Sequence, residues 1–93
     1  MDWEKVKIFR YVAQSKSFTH AGNKLNLSQS AISRQIKKLE EELKVILFHR
    51  HARGLLLTEQ GETLLQYAND IFDKISSAEN NLAANKEKPQ GEL

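Results

Sequence analysis

Six apolar residues in the C-terminal third restrict this chain more than any other feature. Leu64, Ala68, Ile71, Ile75, Ala78 and Leu82 are separated by 4, 3, 4, 3 and 4 residues. That is the heptad spacing of a narrow helical seam, not the broad stripe of a helix lying on a globule. Leu65 and Phe72 widen it. Thr58 caps the segment, and Glu59 and Glu62 fall in its first turn, where the positive end of the helix dipole favours carboxylates. A helix from Thr58 to about Asn85 would extend roughly 40 Å at 1.5 Å per residue. The remainder of a 93-residue chain cannot cover a rod of that length. The first turns are therefore expected on the chain's own domain and the rest against a second copy. Leu64, Ala68, Ile71, Phe72, Ile75, Ala78 and Leu82 would form that dimer contact. The plainer alternative is that the stripe folds back on the first helix.

Upstream of Thr58 the pattern breaks into short pieces. Trp3, Val6, Phe9 and Ala13 recur at helical spacing over residues 2–14, with Ile8 and Tyr11 turned toward a second apolar contact. "SKSFT" interrupts this helix, and Thr19 is expected to cap a short one from about His20 to Leu25. Gly22 inside it costs about 1 kcal/mol relative to Ala, which points to close approach by another helix. "NLS" reads as a tight turn, with Ser28 capping a helix from about Gln29 to Leu43. Two β-prone pieces around a turn containing Gly54 read as a small hairpin over about 47–57. "NKEKPQGEL", with Pro89 and Gly91, reads as a polar linker or tail over about 86–93. The domain division is thus 1–57, 58–85 and 86–93. The fold class is mainly α: three helices and a two-stranded wing, then a long dimerisation helix.

The helix from Gln29 to Leu43 has two unlike faces. At 100° per residue, Ile32, Ile36, Leu39 and Leu43 gather on one side. Ser30, Arg34, Lys37 and Glu41 lie opposite, Ser33 and Lys38 flank them, and Gln29 sits at the N-terminal tip. Glu40, Glu41 and Glu42 are confined to the last turns, so the outward surface is cationic and hydrogen-bonding first and acidic last. A helix entering duplex DNA by its N-terminal half needs that arrangement, because its glutamates are then held away from phosphate. The short helix and turn ahead of it complete a helix-turn-helix, in which the second helix lies in the major groove and the first braces it. Arg can read guanine through a bidentate pair, Gln can read adenine, and Ser can contact a base edge or a phosphate; Arg34, at the centre of the outward face, is expected to read a base. Lys/Arg side chains on a helix are by themselves most simply a solvated face. The sign segregation, the helix pair and the basic hairpin together argue otherwise.

Overall charge supports the same division. Residues 1–57 hold 11 Lys/Arg against 5 Asp/Glu, and residues 58–93 hold 3 against 7. A basic front with an acidic back suits a polyanionic partner for the front. The composition, 40% hydrophobic and 28% charged, is that of a folded chain. No apolar run approaches the ~20 residues of a membrane span, so no membrane partner is expected. "MDWEKVKIFRYV" lacks the basic start and apolar block of a secretory signal. Cysteine is absent, which excludes disulfides and thiolate chemistry and fits a cytoplasmic location.

These residues resemble the LysR-type bacterial transcriptional regulators. "KSFTHAGNKLNLSQSAISRQIKKLEEELKVILFHR" followed by "RGLLLTEQGE" is similar to their N-terminal winged helix-turn-helix, and the likeness extends over about residues 2–85. The resemblance implies a sequence-specific, dimeric regulator that binds duplex DNA at an imperfect inverted repeat. It implies major-groove contacts from Gln29, Ser30, Ser33 and Arg34, with Ser28 at the helix tip joining them. It implies backbone contacts from Lys37 or Lys38, and wing contacts from Arg50 and Arg53 on the backbone or minor groove. It also implies antiparallel pairing of the long helix with its copy, tetramers in the whole protein, and a downstream domain that binds a small-molecule effector. No cofactor is expected in this segment. The chain is then expected to be part of a longer protein.

Four positions depart from the family pattern. Lys44 stands where a helix-ending Gly is usual, so a left-handed residue there is strained by about 1 kcal/mol or more. Ile46 and Leu56 replace frequently polar residues, and Gly22 stands where Ala is common.

The remaining signals are weak. His49 and His51 alternate on one side of a strand, but a tetrahedral metal site needs two further ligands, and only His20 remains. Solvated or phosphate-facing histidines are the simpler account. Nothing groups a nucleophile, a base and oxyanion donors, so an enzyme is not expected. No glycine-rich phosphate loop is present. Trp3, Phe9, Phe18, Phe48 and Phe72 lie on apolar stripes and read as core. The competing functional class is a protein-interaction module using the heptad seam, with the basic face incidental. Salt dependence of binding to duplex DNA separates the two.

Overall fold

Asp2 opens the first helix: its carboxylate accepts the backbone N–H of Glu4 at 3.1 Å. The computed structural model describes residues 1–52 and 54–86. Helix α1 spans Trp3–Ser15 and ends at Lys16, whose backbone is left-handed (φ 57°, ψ 29°). Helix α2 spans Phe18–Leu25. Its cap is Ser17, not Thr19: the Ser17 hydroxyl accepts from the His20 N–H at 3.2 Å. Ser17 has the extended backbone that a cap requires (φ −156°), and starting there puts Phe18 into the helix and into the core. Helix α3 spans Gln29–Leu43 and starts where the sequence places it, with Ser28 Oγ accepting from Ala31 N–H at 3.1 Å.

The three helices enclose one core. Phe9 and Val12 of α1, Ile32, Ile36 and Leu39 of α3, and Leu47 beyond it are fully buried, with Phe18 and Ala21 of α2 against them. Ile8, expected on a separate face, belongs to this same core, and Tyr11 packs at its edge. Helix α1 is wide-faced because α2, α3 and the last helix all pack on it. Gly22 is buried, but the close neighbour is not another helix. A Cβ there would lie 2.5 Å from the Leu27 carbonyl oxygen in the turn to α3.

After α3, strand β1 (Phe48–His51) pairs antiparallel with β2 (Gly54–Leu57). Phe48 stands opposite Leu57, His49 opposite Leu56, Arg50 opposite Leu55 and His51 opposite Gly54. Gly54 opens β2 instead of sitting in the turn, at a φ of 133° that favours glycine. Alternation divides the ribbon into two faces. Phe48, Arg50, Leu55 and Leu57 share the inward one, while His49, His51 and Leu56 lie on the outward one and are exposed.

Helix α4 spans Glu59–Lys86, and its residues beyond the domain project from an otherwise small body, giving extents of 59 × 25 × 20 Å. Thr58 ties its start to the loop before β1. The Thr58 hydroxyl accepts from Gly61 N–H at 2.9 Å and donates to the Ile46 carbonyl, and the Thr58 N–H donates to the Leu47 carbonyl at 3.0 Å. Gly61 makes the approach possible, since a Cβ there would strike the Leu47 carbonyl oxygen and meet Leu57 Cδ2 at 2.8 Å. Ala68 is fully buried, and Leu64 and Leu65 pack on the core. Phe72 is half-buried against Trp3, with ring centroids 5.0 Å apart, so its ring is committed to α1. The rest of the stripe is uncovered: Ile71, Ile75 and Leu82 are 42%, 39% and 67% exposed. No described helix is long and apolar enough to cross a membrane. Residues 87–93, most of the expected polar tail, lie outside the described residues; Lys86 is the last residue of α4.

Candidate nucleic-acid interface

The buried stripe of α3 dictates what the opposite side presents. With Ile32, Ile36 and Leu39 held in the core, Gln29, Ser30, Arg34, Lys37 and Lys38 are exposed, and Ser33 is half-buried on the flank. Ser28, at the tip, is exposed and lies 3.4 Å from Ser30 through their hydroxyl oxygens. Among the described residues, no carboxylate pairs with Arg34, Lys37 or Lys38. The helix therefore offers a row of cations without carboxylate partners among the described residues, beside the hydroxyl and amide groups of Gln29, Ser30 and Ser33.

The acidic end of α3 is disposed of in a way the sequence did not disclose. Glu40 turns back on the protein, where one carboxylate oxygen accepts the N–H groups of Leu47 at 2.8 Å and Phe48 at 3.3 Å. Glu42 accepts from Lys5 Nζ at 2.8 Å, joining the end of α3 to the start of α1. That hydrogen bond is the main reason the Lys5 ammonium is held above the ordinary lysine range. Only Glu41 remains on the outward face. The Lys5–Glu42 pair spans 37 residues, and no local pattern could have predicted it.

Thr19, misplaced as a cap by sequence reasoning, is an exposed residue of α2 lying beside α3. Its hydroxyl is 3.5 Å from Gln29 Oε1, so the two helices of the helix-turn-helix meet through polar atoms at the same surface. The signal that could have located it was Ser17, an equally good cap two residues earlier.

The wing contributes less uniformly than its basic composition suggests. Arg50 is exposed but turned to the protein: Nη2 donates to Ser33 Oγ at 3.0 Å, and Cζ lies 4.9 Å from the Phe18 ring centroid. Arg53, the other expected wing contact, lies outside the described residues. His49 and His51 do share a face, but among the described residues no group of three His, Cys, Asp or Glu could hold a metal ion. A depression of about 500 Å³ beside the wing is lined by Lys16, His51, Ala52, Gly54, Leu55 and Leu56, which include no nucleophile and base pair.

This arrangement has counterparts among known proteins. Residues 3–62 match the family described as bacterial regulatory helix-turn-helix protein, lysR family. The chain is 40% identical over 93 residues to the HTH-type transcriptional regulator YofA of Bacillus subtilis, covering 100% of itself and 32% of that protein. It is 45% identical over 71 residues to the HTH-type transcriptional activator AmpR of Citrobacter freundii, covering 76% of itself and 24% of AmpR. Among solved structures it is similar to the BenM DBD in complex with catB site 1 DNA, with a TM-score of 0.87 and 30% identity, covering 96% of this chain and 100% of that one. It is also similar to full-length LysG of Corynebacterium glutamicum with bound effector Arg, with a TM-score of 0.85 and 27% identity, covering 96% of this chain and 31% of LysG. The chain thus spans about a third of the length of such full-length relatives.

Proposed function

The chain belongs to the LysR family of bacterial helix-turn-helix regulators, and from that premise we propose that it binds duplex DNA sequence-specifically as part of a transcriptional regulator. The observation that carries the proposal is the outward face of α3, where Arg34, Lys37 and Lys38 stand among Gln29, Ser28, Ser30 and Ser33 with no carboxylate partner among the described residues. In this reading α3 enters the major groove, with Gln29, Ser30, Ser33 and Arg34 at base edges and Lys37 and Lys38 at phosphates. Residues 1–57 form the reading domain with its wing on the backbone or minor groove, and 58–85 link two copies. The relatives named above are transcriptional regulators, not enzymes.

The uncovered stripe of α4 supports pairing between copies through Ile71, Ile75, Ala78 and Leu82, with the first turns of α4 kept on the parent domain. A two-fold pair presents two α3 helices and so calls for an inverted repeat with half-sites set by turns of DNA. In the whole protein we further propose an effector-binding domain after α4 and assembly into tetramers, in the cytoplasm where the DNA partner lies.

Enrichment of bound duplexes from a random pool, followed by sequencing, tests the proposal. An enriched, roughly palindromic site whose affinity falls steeply with salt is expected. A pool that remains random after repeated rounds refutes sequence-specific reading.

A further inference from the structure

Arg50 has the charge of a phosphate contact and the placement of something else. It lies on the inward face of the wing, opposite Leu55 and two residues from Phe48, both buried. A guanidinium on that face finds its partners on the protein. It stacks over Phe18 of α2 at 4.9 Å and donates from Nη2 to Ser33 Oγ of α3 at 3.0 Å. One side chain thus joins the wing, the bracing helix and the reading helix.

The contact fixes the chemistry of the Ser33 hydroxyl. A serine hydroxyl has one donor hydrogen and two acceptor lone pairs. An Arg N–H on one lone pair turns the hydroxyl hydrogen away from the cation, and the positive charge makes that hydrogen a better donor. Among the described residues, Arg50 is the one hydrogen-bond partner of Ser33 Oγ. We infer that Arg50 is a positioning residue: it holds Ser33 as a hydrogen-bond donor toward an acceptor atom of the duplex and does not itself contact phosphate. The inference rests on the proposed function and specifies how one point of that surface works.

The test uses anisotropy titrations of the chain with an enriched duplex and with a scrambled duplex of equal length, across a range of salt. Wild type is compared with Arg50→Ala, Arg50→Lys, Ser33→Ala and the Ser33→Ala/Arg50→Ala double variant. Either alanine variant is expected to weaken binding about tenfold, as loss of a charge-assisted hydrogen bond does. The double variant is expected to be no weaker than either single one. Arg50→Ala should keep the wild-type slope of log K against log salt. Arg50→Lys should not restore affinity, because an ammonium cannot stack on Phe18 and donate to Ser33 together. Loss confined to the enriched duplex identifies a base acceptor, and equal loss on both identifies a phosphate oxygen.

A slope reduced by about 0.9 in Arg50→Ala, restored by Arg50→Lys and additive with Ser33→Ala, makes Arg50 a phosphate contact and overturns the inference. If the wild type itself does not prefer the enriched duplex, the proposed function fails, and this inference with it. Circular dichroism checks that the variants fold, and Arg50→Lys carries the comparison of affinity and slope should Arg50→Ala melt early.

Discussion

Arg10 and Phe72 meet across the junction of α1 and α4, with the guanidinium carbon 4.1 Å from the ring centroid and Nε donating to Asn69 Oδ1 at 2.7 Å. Trp3 packs on the same Phe72 ring, with centroids 5.0 Å apart. These contacts are the last that hold α4 to its own domain before it runs free, so they set the angle at which the rod leaves. Phe72→Ala removes a half-buried ring and a cation–π contact, and about 1–3 kcal/mol of stability should go with it. Chemical denaturation measures the loss. A midpoint equal to that of the parent would mean that the ring contributes nothing to docking.

Lys44 closes α3 in the left-handed region (φ 60°, ψ 38°), where its N–H still reaches the Glu40 carbonyl. A side chain in that conformation is strained, and glycine is not. Lys44→Gly should therefore raise stability by about 1 kcal/mol, and the melting temperature by a few degrees. A fall in melting temperature would show that the entropy that glycine gives the unfolded chain outweighs the relief.

Gly61 offers the reverse case. Its hydrogen atoms face the Leu47 carbonyl and the Leu57 side chain, and the backbone neighbour cannot move without displacing the Thr58 contacts to the same loop. Gly61→Ala should destabilise by about 1–3 kcal/mol despite the better helix propensity of alanine. Thermal melts of the two variants side by side test both claims, since propensity alone would make alanine at 61 favourable.

How far the chain was legible depends on whether a feature is local. The bounds of α3, its Ser28 cap and the start of α4 at Thr58 follow from spacing and capping chemistry within a few residues, and the structure shows them there. Ser17 and Thr19 are both competent caps, and only burial of Phe18 decides between them. The roles of Glu40 and Glu42 depend on contacts with loop amides and with Lys5, which no periodicity encodes. Arg50 was legible as a basic wing residue, but its inward direction depends on a register that appears only when β1 and β2 pair. Heptad spacing marked the whole stripe of α4 alike, whereas Ala68 is buried on its own domain and Ile75 is not.

Arg34 is the test of base reading. It stands exposed at the middle of the outward face with no carboxylate partner among the described residues. Arg34→Ala should cost about 1–3 kcal/mol on the enriched duplex and relax preference at one position of the site. Parallel titrations against the enriched duplex and single-base variants measure this. Equal losses on every duplex would make Arg34 a phosphate contact.

Ile71→Glu tests the seam, and its position makes the outcome informative. Ile71 is 42% exposed in a single copy, so a glutamate there is solvated in the monomer and damages the parent domain little. In a paired α4 the same carboxylate faces an apolar stripe and pays several kcal/mol of desolvation. The variant should therefore keep the parent's melting behaviour under dilute, monomeric conditions and sediment as a monomer at micromolar concentration where the parent is dimeric. Its affinity for a two-half-site duplex should fall toward that for one half-site, since linked copies bind the second half-site intramolecularly. If variant and parent sediment as the same dimer, the copies associate elsewhere, and the uncovered stripe of α4 needs a different occupant.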